Sequence, residues 1–202
     1  MITAVYGGSF NPPHAGHISV AKRVRKELHP DRLLIMPDYE APHKEMAGNT
    51  PSPEQRLELC RLAFGDIPGV EISDLEILRG GKSYTVDTLT ELRRMYPEDS
   101  FILVIGSDML MSFETVWYRF EDILNMSTLA VCSRNGTDIA GLEEHAKWLM
   151  ENYGGSIKIL RNHKSVVQSS SDIRKALAEG LKPANLPESV RDYIERNGLY
   201  KK

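Results

Sequence analysis

The sequence predicts a doubly wound α/β fold of Rossmann-like type: a parallel sheet with helices on both faces, in a single domain that ends in C-terminal helices. Three observations carry that expectation. Short β-type runs alternate along the chain with longer segments at helical spacing. Several runs, above all Phe101-Ile102-Leu103-Val104-Ile105, are apolar throughout, as strands buried on both faces are. No composition shift marks a domain boundary in the 202 residues, and roughly 100–200 residues make one domain.

Taken in order, Ile2-Thr3-Ala4-Val5-Tyr6 reads as a buried strand ending at Gly7-Gly8. Residues 18–28 form an amphipathic helix, with Val20, Ala21, Val24 and Leu28 on its apolar side. Leu33-Leu34-Ile35-Met36 is a second strand, stopped by Pro37, and a polar loop runs from Asp38 to Pro51. Ser52, Pro53 and Gln55 announce the next helix: an N-cap, a first-turn proline and a capping-box partner. Val70–Ser73 is a short strand, Thr85–Met95 a helix and Phe101–Gly106 the central strand. Helical stretches follow at Met109–Ser112 and Trp117–Leu124. Then come the strand Leu129–Cys132, the helix Leu142–Tyr153 and the strand Ile157–Leu160. Two helices, Ser171–Glu179 and Pro187–Asn197, close the chain. Parallel sheets of this kind bind ligands at the carboxyl ends of their strands. Chemistry is therefore expected after Tyr6, Met36, Ile105, Cys132 and Leu160.

The composition excludes several classes. Hydrophobic residues are 41% and charged residues 26%, ordinary values for a folded soluble chain. No apolar run approaches the ~20 residues of a membrane span, and the N-terminus lacks a basic region followed by an apolar one. Two cysteines, Cys60 and Cys132, make no disulfide framework and point to a reduced, cytoplasmic setting. A net charge of −3 gives no support to a nucleic-acid partner held by overall charge. Lys22, Arg23, Arg25 and Lys26 read as a solvated basic face, and His29, His145 and His163 as structural or exposed.

The segment after the first strand, Gly7 to His17, is the most telling. Its glycines allow a tight turn and close approach of a ligand to the backbone. It leads to a helix N-terminus, where free N–H groups and the macrodipole favour phosphate. His14 and His17 sit three apart there, able to donate imidazole N–H groups to phosphate oxygens. No recognised Cys/His spacing supports a zinc site, and no protein metal ligands are expected. There is no G-x-G-x-x-G after the strand. Gly81-Lys82-Ser83 ends like a P-loop, but the required first glycine would fall at Glu76. Near the other end, Gln168-Ser169-Ser170-Ser171-Asp172-Ile173-Arg174 opens a helix with capping hydroxyls and a forked guanidinium in its first turn.

Gly8-Ser9-Phe10-Asn11-Pro12-Pro13-His14-Ala15-Gly16-His17 resembles the G-x-F-[DN]-P-x-H-x-G-H signature of the nucleotidylyltransferase superfamily. Gln168–Arg174 resembles its second signature, I-S-S-T-x-I-R, matching at Ser169, Ser170, Ile173 and Arg174 and departing at Gln168 and Ser171. The resemblance spans residues 2–174 and implies one nucleotidylyltransferase domain over 1–202. It implies His14, His17 and Arg174 as catalytic groups acting on the triphosphate of ATP, with Gly8, Ser9, Phe10, Ser170 and Ser171 around it. Gly106-Ser107-Asp108 resembles the family's G-[AS]-D, so that Gly106 and Asp108 join the ATP site, and Arg134 matches a family arginine there. Mg²⁺ is implied as the partner of ATP.

The acceptor is suggested by Ser83-Tyr84-Thr85-Val86-Asp87-Thr88-Leu89, which resembles S-Y-T-x-D-T-L of the bacterial nicotinate mononucleotide adenylyltransferases. Thr85 would cap a helix whose free N–H groups receive a carboxylate. The resemblance further assigns Asn11, Lys44 (in Ala41-Pro42-His43-Lys44), Ser83, Tyr84, Trp117 and Tyr118 to the mononucleotide, with Trp117 stacked on its pyridine ring. The implied reaction transfers AMP from ATP to nicotinate mononucleotide, giving deamido-NAD and pyrophosphate. Small-molecule partners, and a protein that acts alone or as a homo-oligomer, fit this reading. A sibling adenylyltransferase for nicotinamide mononucleotide or phosphopantetheine, and a non-catalytic nucleotide sensor, are the rivals.

Overall fold

The computed structural model describes residues 1–42, 50–133, 138–161 and 169–201. Six strands form one parallel sheet: β1 (Ile2–Gly8), β2 (Arg32–Pro37), β3 (Val70–Ile72), β4 (Ser100–Gly106), β5 (Thr128–Cys132) and β6 (Ser156–Leu160). Their order across the sheet is β3-β2-β1-β4-β5-β6, and every pair is parallel. This is the expected Rossmann-like α/β architecture. Each connection carries helix: α1 (Ala15–Leu28), α2 (Pro53–Phe64), α3 (Leu75–Arg79), α4 (Thr85–Met95), α5 (Ser107–Leu110), α6 (Phe113–Val116), α7 (Phe120–Met126) and α8 (Ile139–Tyr153). After β6 come α9 (Ser170–Ala178) and α10 (Glu188–Arg196).

The strands are buried on both faces because helices cover both. One core holds Val5, Leu34, Leu103, Ile105 and Val131 against Leu89, Leu92 and Leu149. The other holds Ala4, Leu33, Ile35, Val104 and Ala130 against Val24, Cys60 and Phe64. The alternation along each strand divides it between the two. Cys60 and Cys132 are free and buried, and burial raises both thiols, that of Cys132 to about 11. A third cluster, Leu59, Ile173, Leu186, Val190, Ile194 and Tyr200, fastens α9, α10 and the chain end to α2. No helix among the described residues is long and apolar enough to cross a membrane.

The winding direction reverses between β1 and β4, so the crevice at their carboxyl ends is where such a sheet takes a ligand. Gly8 and Gly106 are the last residues of those two strands.

Several expectations need correction. The helix α3 has no counterpart in the sequence reading. The stretches expected at Met109–Ser112 and Trp117–Leu124 are three short helices instead, and Trp117 lies outside them as the extended C-cap of α6. Tyr84, not Thr85, holds the N-cap position of α4, and no side chain caps it. Half of the basic face of α1 is tied down: Arg25 donates to the carbonyls of Pro30 and Pro68, and Arg23 pairs with Glu27.

Candidate functional site

The loop from β1 to α1 is built differently from a glycine turn. Gly7 and Gly8 are extended members of β1. The chain turns at Phe10, whose φ is +42°, a conformation that costs a non-glycine residue on the order of 1–3 kcal/mol. Burial of its ring offsets that cost: Phe10 packs edge-on to Tyr6 and Phe64 with centroids 5.4 and 5.6 Å away. Its ring also meets His17 at 5.2 Å. A Cβ on Gly8 would meet nothing closer than Phe10 at 3.6 Å, so the fold itself does not demand glycine there.

His14 is the N-cap of α1. Its Nδ1 accepts from the N–H of Gly16 at 3.1 Å, while His17 Nδ1 accepts from the N–H of His14 at 3.3 Å. The two imidazoles lie 3.9 Å apart at a 40° tilt. An Nδ1 that accepts from backbone cannot carry the ring proton, so in the neutral rings the proton sits on Nε2. Both histidines are thereby set as Nε2–H donors.

The C-terminal signature meets this loop. Ser169 caps α9 with a reciprocal box to Asp172, and its hydroxyl holds the Asp172 carboxyl below the usual range. Ser170 Oγ donates to the carbonyl of Pro12 at 3.3 Å. Arg174 donates from Nη1 to the carbonyl of Asn11 at 2.8 Å and from Nη2 to Ser171 Oγ at 3.0 Å. The side chain of Asn11 is buried, with Oδ1 accepting from Tyr200 and Nδ2 donating to Thr50. Two segments from opposite ends of the sequence thus form one surface past the end of β1.

Around the crevice, Asp108 is exposed in the first turn after Gly106. Ser83 is buried and accepts from the N–H of Tyr39 at 3.0 Å, which joins the start of α4 to the chain after β2. Tyr84 and Tyr118 pack with ring centroids 5.1 Å apart, and Thr85 begins α4. The indole of Trp117 lies on Phe113 at 5.1 Å, and its buried Nε1 has no hydrogen-bond partner among the described residues. Lys44, Arg134 and Gln168 fall outside the described residues. Of the remaining histidines, His29 is an exposed C-cap of α1, His145 stacks on Trp148 and bonds Glu114, and His163 is not described.

Three further residues stand at this edge: Arg56, which reads in the sequence equally as a site residue or a helix-surface one, and Glu76 and Tyr200, which carry no signal. Arg56 is only 1% exposed. It donates to Asp38 Oδ1 at 2.8 Å and to the carbonyls of Ser9 and Tyr39 at 2.9 Å each. Ser9 donates in turn to Asp38 Oδ2 at 2.7 Å, so the ends of β1 and β2 are locked together. Glu76 is buried beside Thr88, which donates to it at 2.6 Å, and burial raises its carboxyl. Tyr200, near the end of the chain, is the third. Arg56 is a charged residue in an amphipathic helix and Glu76 lies in a helix the sequence does not announce, and both find their partners on other elements.

Comparisons with known proteins give the family and the fold. The cytidylyltransferase-like family model matches residues 5–176. A relative from Desulfitobacterium hafniense, named probable nicotinate-nucleotide adenylyltransferase, is 36% identical over 98% of this chain and 94% of its own. One of the same name from Geobacter metallireducens is 37% identical over 99% and 98%. In fold, the chain matches the solved nicotinic acid mononucleotide adenylyltransferase of Plasmodium falciparum complexed with NaAD. That match has a TM-score of 0.80 at 17% identity, covering 98% of this chain and 97% of that one. The chain belongs to the cytidylyltransferase-like family, within its nicotinate-nucleotide adenylyltransferase group of enzymes.

Proposed function

We propose that this chain is a nicotinate-nucleotide adenylyltransferase, forming deamido-NAD and pyrophosphate from ATP and nicotinate mononucleotide. The observation that carries it is the junction of the two signatures: Arg174 and Ser170 of α9 bonded to the main chain of Asn11 and Pro12, beside the paired imidazoles.

In the proposed reaction an oxygen of the mononucleotide 5′-phosphate forms a bond to the α-phosphorus of ATP. The bond to the bridging oxygen breaks on the opposite side, and pyrophosphate leaves with that electron pair. A phosphate dianion needs no general base, so catalysis rests on positioning and charge stabilisation. His14 and His17 donate from Nε2 to the α- and β-phosphates. Ser170, Ser171 and Arg174 hold the departing pyrophosphate. Gly8, Ser9, Gly106 and Asp108 line the adenylate side, and the protein's tolerance of a Cβ at Gly8 leaves close nucleotide approach as the use for that glycine. Phe10 acts from behind, by packing against His17. Asn11, Ser83, Tyr84, Thr85, Trp117 and Tyr118 form the mononucleotide side, with Lys44 and Arg134 completing the two subsites.

Among the described residues no three His, Cys, Asp or Glu side chains converge on one point. That donor set suits a Mg²⁺ carried on the ATP phosphates rather than caged by protein. Asp108, exposed in the first turn after β4, is the site carboxylate that would share such an ion. The ion would supply charge neutralisation between phosphates.

The test is to incubate the protein with ATP, Mg²⁺ and either nicotinate or nicotinamide mononucleotide, then measure pyrophosphate. Release that strongly favours the acid supports the reading; silence with both sinks it.

A further inference from the structure

We propose that Tyr200 is a positioning residue that fixes the orientation of the Asn11 carboxamide, making the end of the chain a working part of the site. The kinetic side of this proposal rests on the function proposed above; its spectroscopic side does not.

The chain comes back to the site after α10. Gly198, at φ +61°, and Tyr200, at φ +63°, turn it inward, and Tyr200 ends 2% exposed. A left-handed tyrosine is a strained choice. Packing alone would be served as well by phenylalanine, since the ring sits among Leu59, Ile173, Val190 and Ile194. What tyrosine adds is an O–H, and that O–H meets Asn11 Oδ1 at 2.7 Å in a buried setting.

A carboxamide has two nearly isosteric ends, one accepting and one donating, and its partners decide which end points where. Burial pushes the Tyr200 phenol upward, so it stays protonated and can donate. It therefore selects Oδ1. The Nδ2 group must turn the other way, where it donates to Thr50 Oγ1 at 3.3 Å. Thr50 sits just before Pro51 and the Ser52 cap of α2. Arg174 fixes the Asn11 carbonyl independently. The main chain of Asn11 is thus set by α9, and its side chain by the tail.

The test is Tyr200→Phe in the full chain, which keeps the ring and removes the O–H. The Asn11 side-chain amide pair in a ¹⁵N–¹H spectrum, assigned by its loss in Asn11→Asp, is expected to shift or broaden. KM for nicotinate mononucleotide should rise about tenfold, the scale of one buried hydrogen bond, with KM for ATP nearly unchanged. In an Asn11→Ala background the same substitution should add nothing. An unmoved amide pair, or an equal kinetic effect without Asn11, overturns the proposal. If Tyr200→Phe does not fold, Thr50→Val tests the same orientation from its other partner, and an unchanged KM there overturns it too. Should wild-type protein be silent with both mononucleotides, the functional reading fails and the amide spectrum alone decides this one.

Discussion

Arg174 reaches back across 163 positions of sequence to donate to the carbonyl of Asn11 at 2.8 Å. The guanidinium therefore has two duties: it tethers the first loop to α9, and it presents charge at the loop's surface. Arg174→Lys keeps the charge but loses the fork that serves Asn11 and Ser171 together. Arg174→Ala loses both. We expect pyrophosphate release to fall by about 10² or more in the alanine variant, a loss of roughly 2.7–4 kcal/mol of barrier stabilisation. The lysine variant should recover only part of it.

His17 also has two duties, separable by substitution. His17→Ala removes the Nε2 donor and the Nδ1 acceptor that receives the His14 N–H. His17→Asn places an acceptor near the Nδ1 position without the distal donor. Both variants should lose about a hundredfold in kcat with modest change in ATP affinity. Only alanine should also melt lower, by the ~1 kcal/mol of a lost cap. Wild-type turnover in either would remove His17 from the mechanism.

The Asp38–Arg56 pair is a matter of stability first. Its guanidinium is 1% exposed and bonds three oxygens of two strand ends. Asp38→Ala would leave that cation buried without its counter-charge, at about 3–5 kcal/mol. At ~2–4 °C per kcal/mol for a chain of this size, melting should drop by roughly 10 °C. In the double variant Asp38→Ala with Arg56→Met, the loss should be smaller than the sum of the two singles, as a double-mutant cycle will show.

At the amino ends of the central strands, Asp99 accepts from Thr3 Oγ and from Arg32, both at 2.6 Å. The Thr3 hydroxyl first, and the Arg32 guanidinium after it, hold its carboxyl at about 2. A depressed carboxyl stabilises the folded state above its unfolded value of about 3.9. That contribution is lost as pH falls from there through about 2. Denaturant midpoints followed from pH 5 to pH 2 should therefore decline less steeply in Asp99→Asn than in the wild type.

Much of the fold could be read in the sequence because its signals are local. The Ser52–Gln55 box forms as written, with Gln55 N–H to Ser52 Oγ at 3.2 Å and Ser52 N–H to Gln55 Oε1 at 2.9 Å. The strands announce themselves as apolar runs. What escaped depends on partners distant in sequence. Nothing near Arg56 says that its helix face turns inward onto Asp38. Nothing near Phe10 says that an aromatic ring, and not the neighbouring glycines, will hold a left-handed turn. Trp117 opens a stretch, Trp117–Leu124, that reads as helix, yet no helix forms until Phe120 because Trp117 and Arg119 take extended and left-handed backbone. The site was legible as two clusters of residues; that α9 and the chain end would both close on Asn11 was not.

Met1 and Tyr200 lie at opposite ends of the central strand β1. Met1 stands at the start of β1 beside Asp99, whereas Tyr200 stands just past the end of the same strand, against Asn11. Seven strand residues lie between those two ends, about 20 Å at the usual rise. For anyone handling the protein this makes the ends unequal. A purification tag or fluorophore fused ahead of Met1 starts at the amino ends of the strands, away from the crevice, whereas Tyr200 is packed at the crevice against Asn11. Immobilising the protein through its first residue leaves the crevice facing the solution.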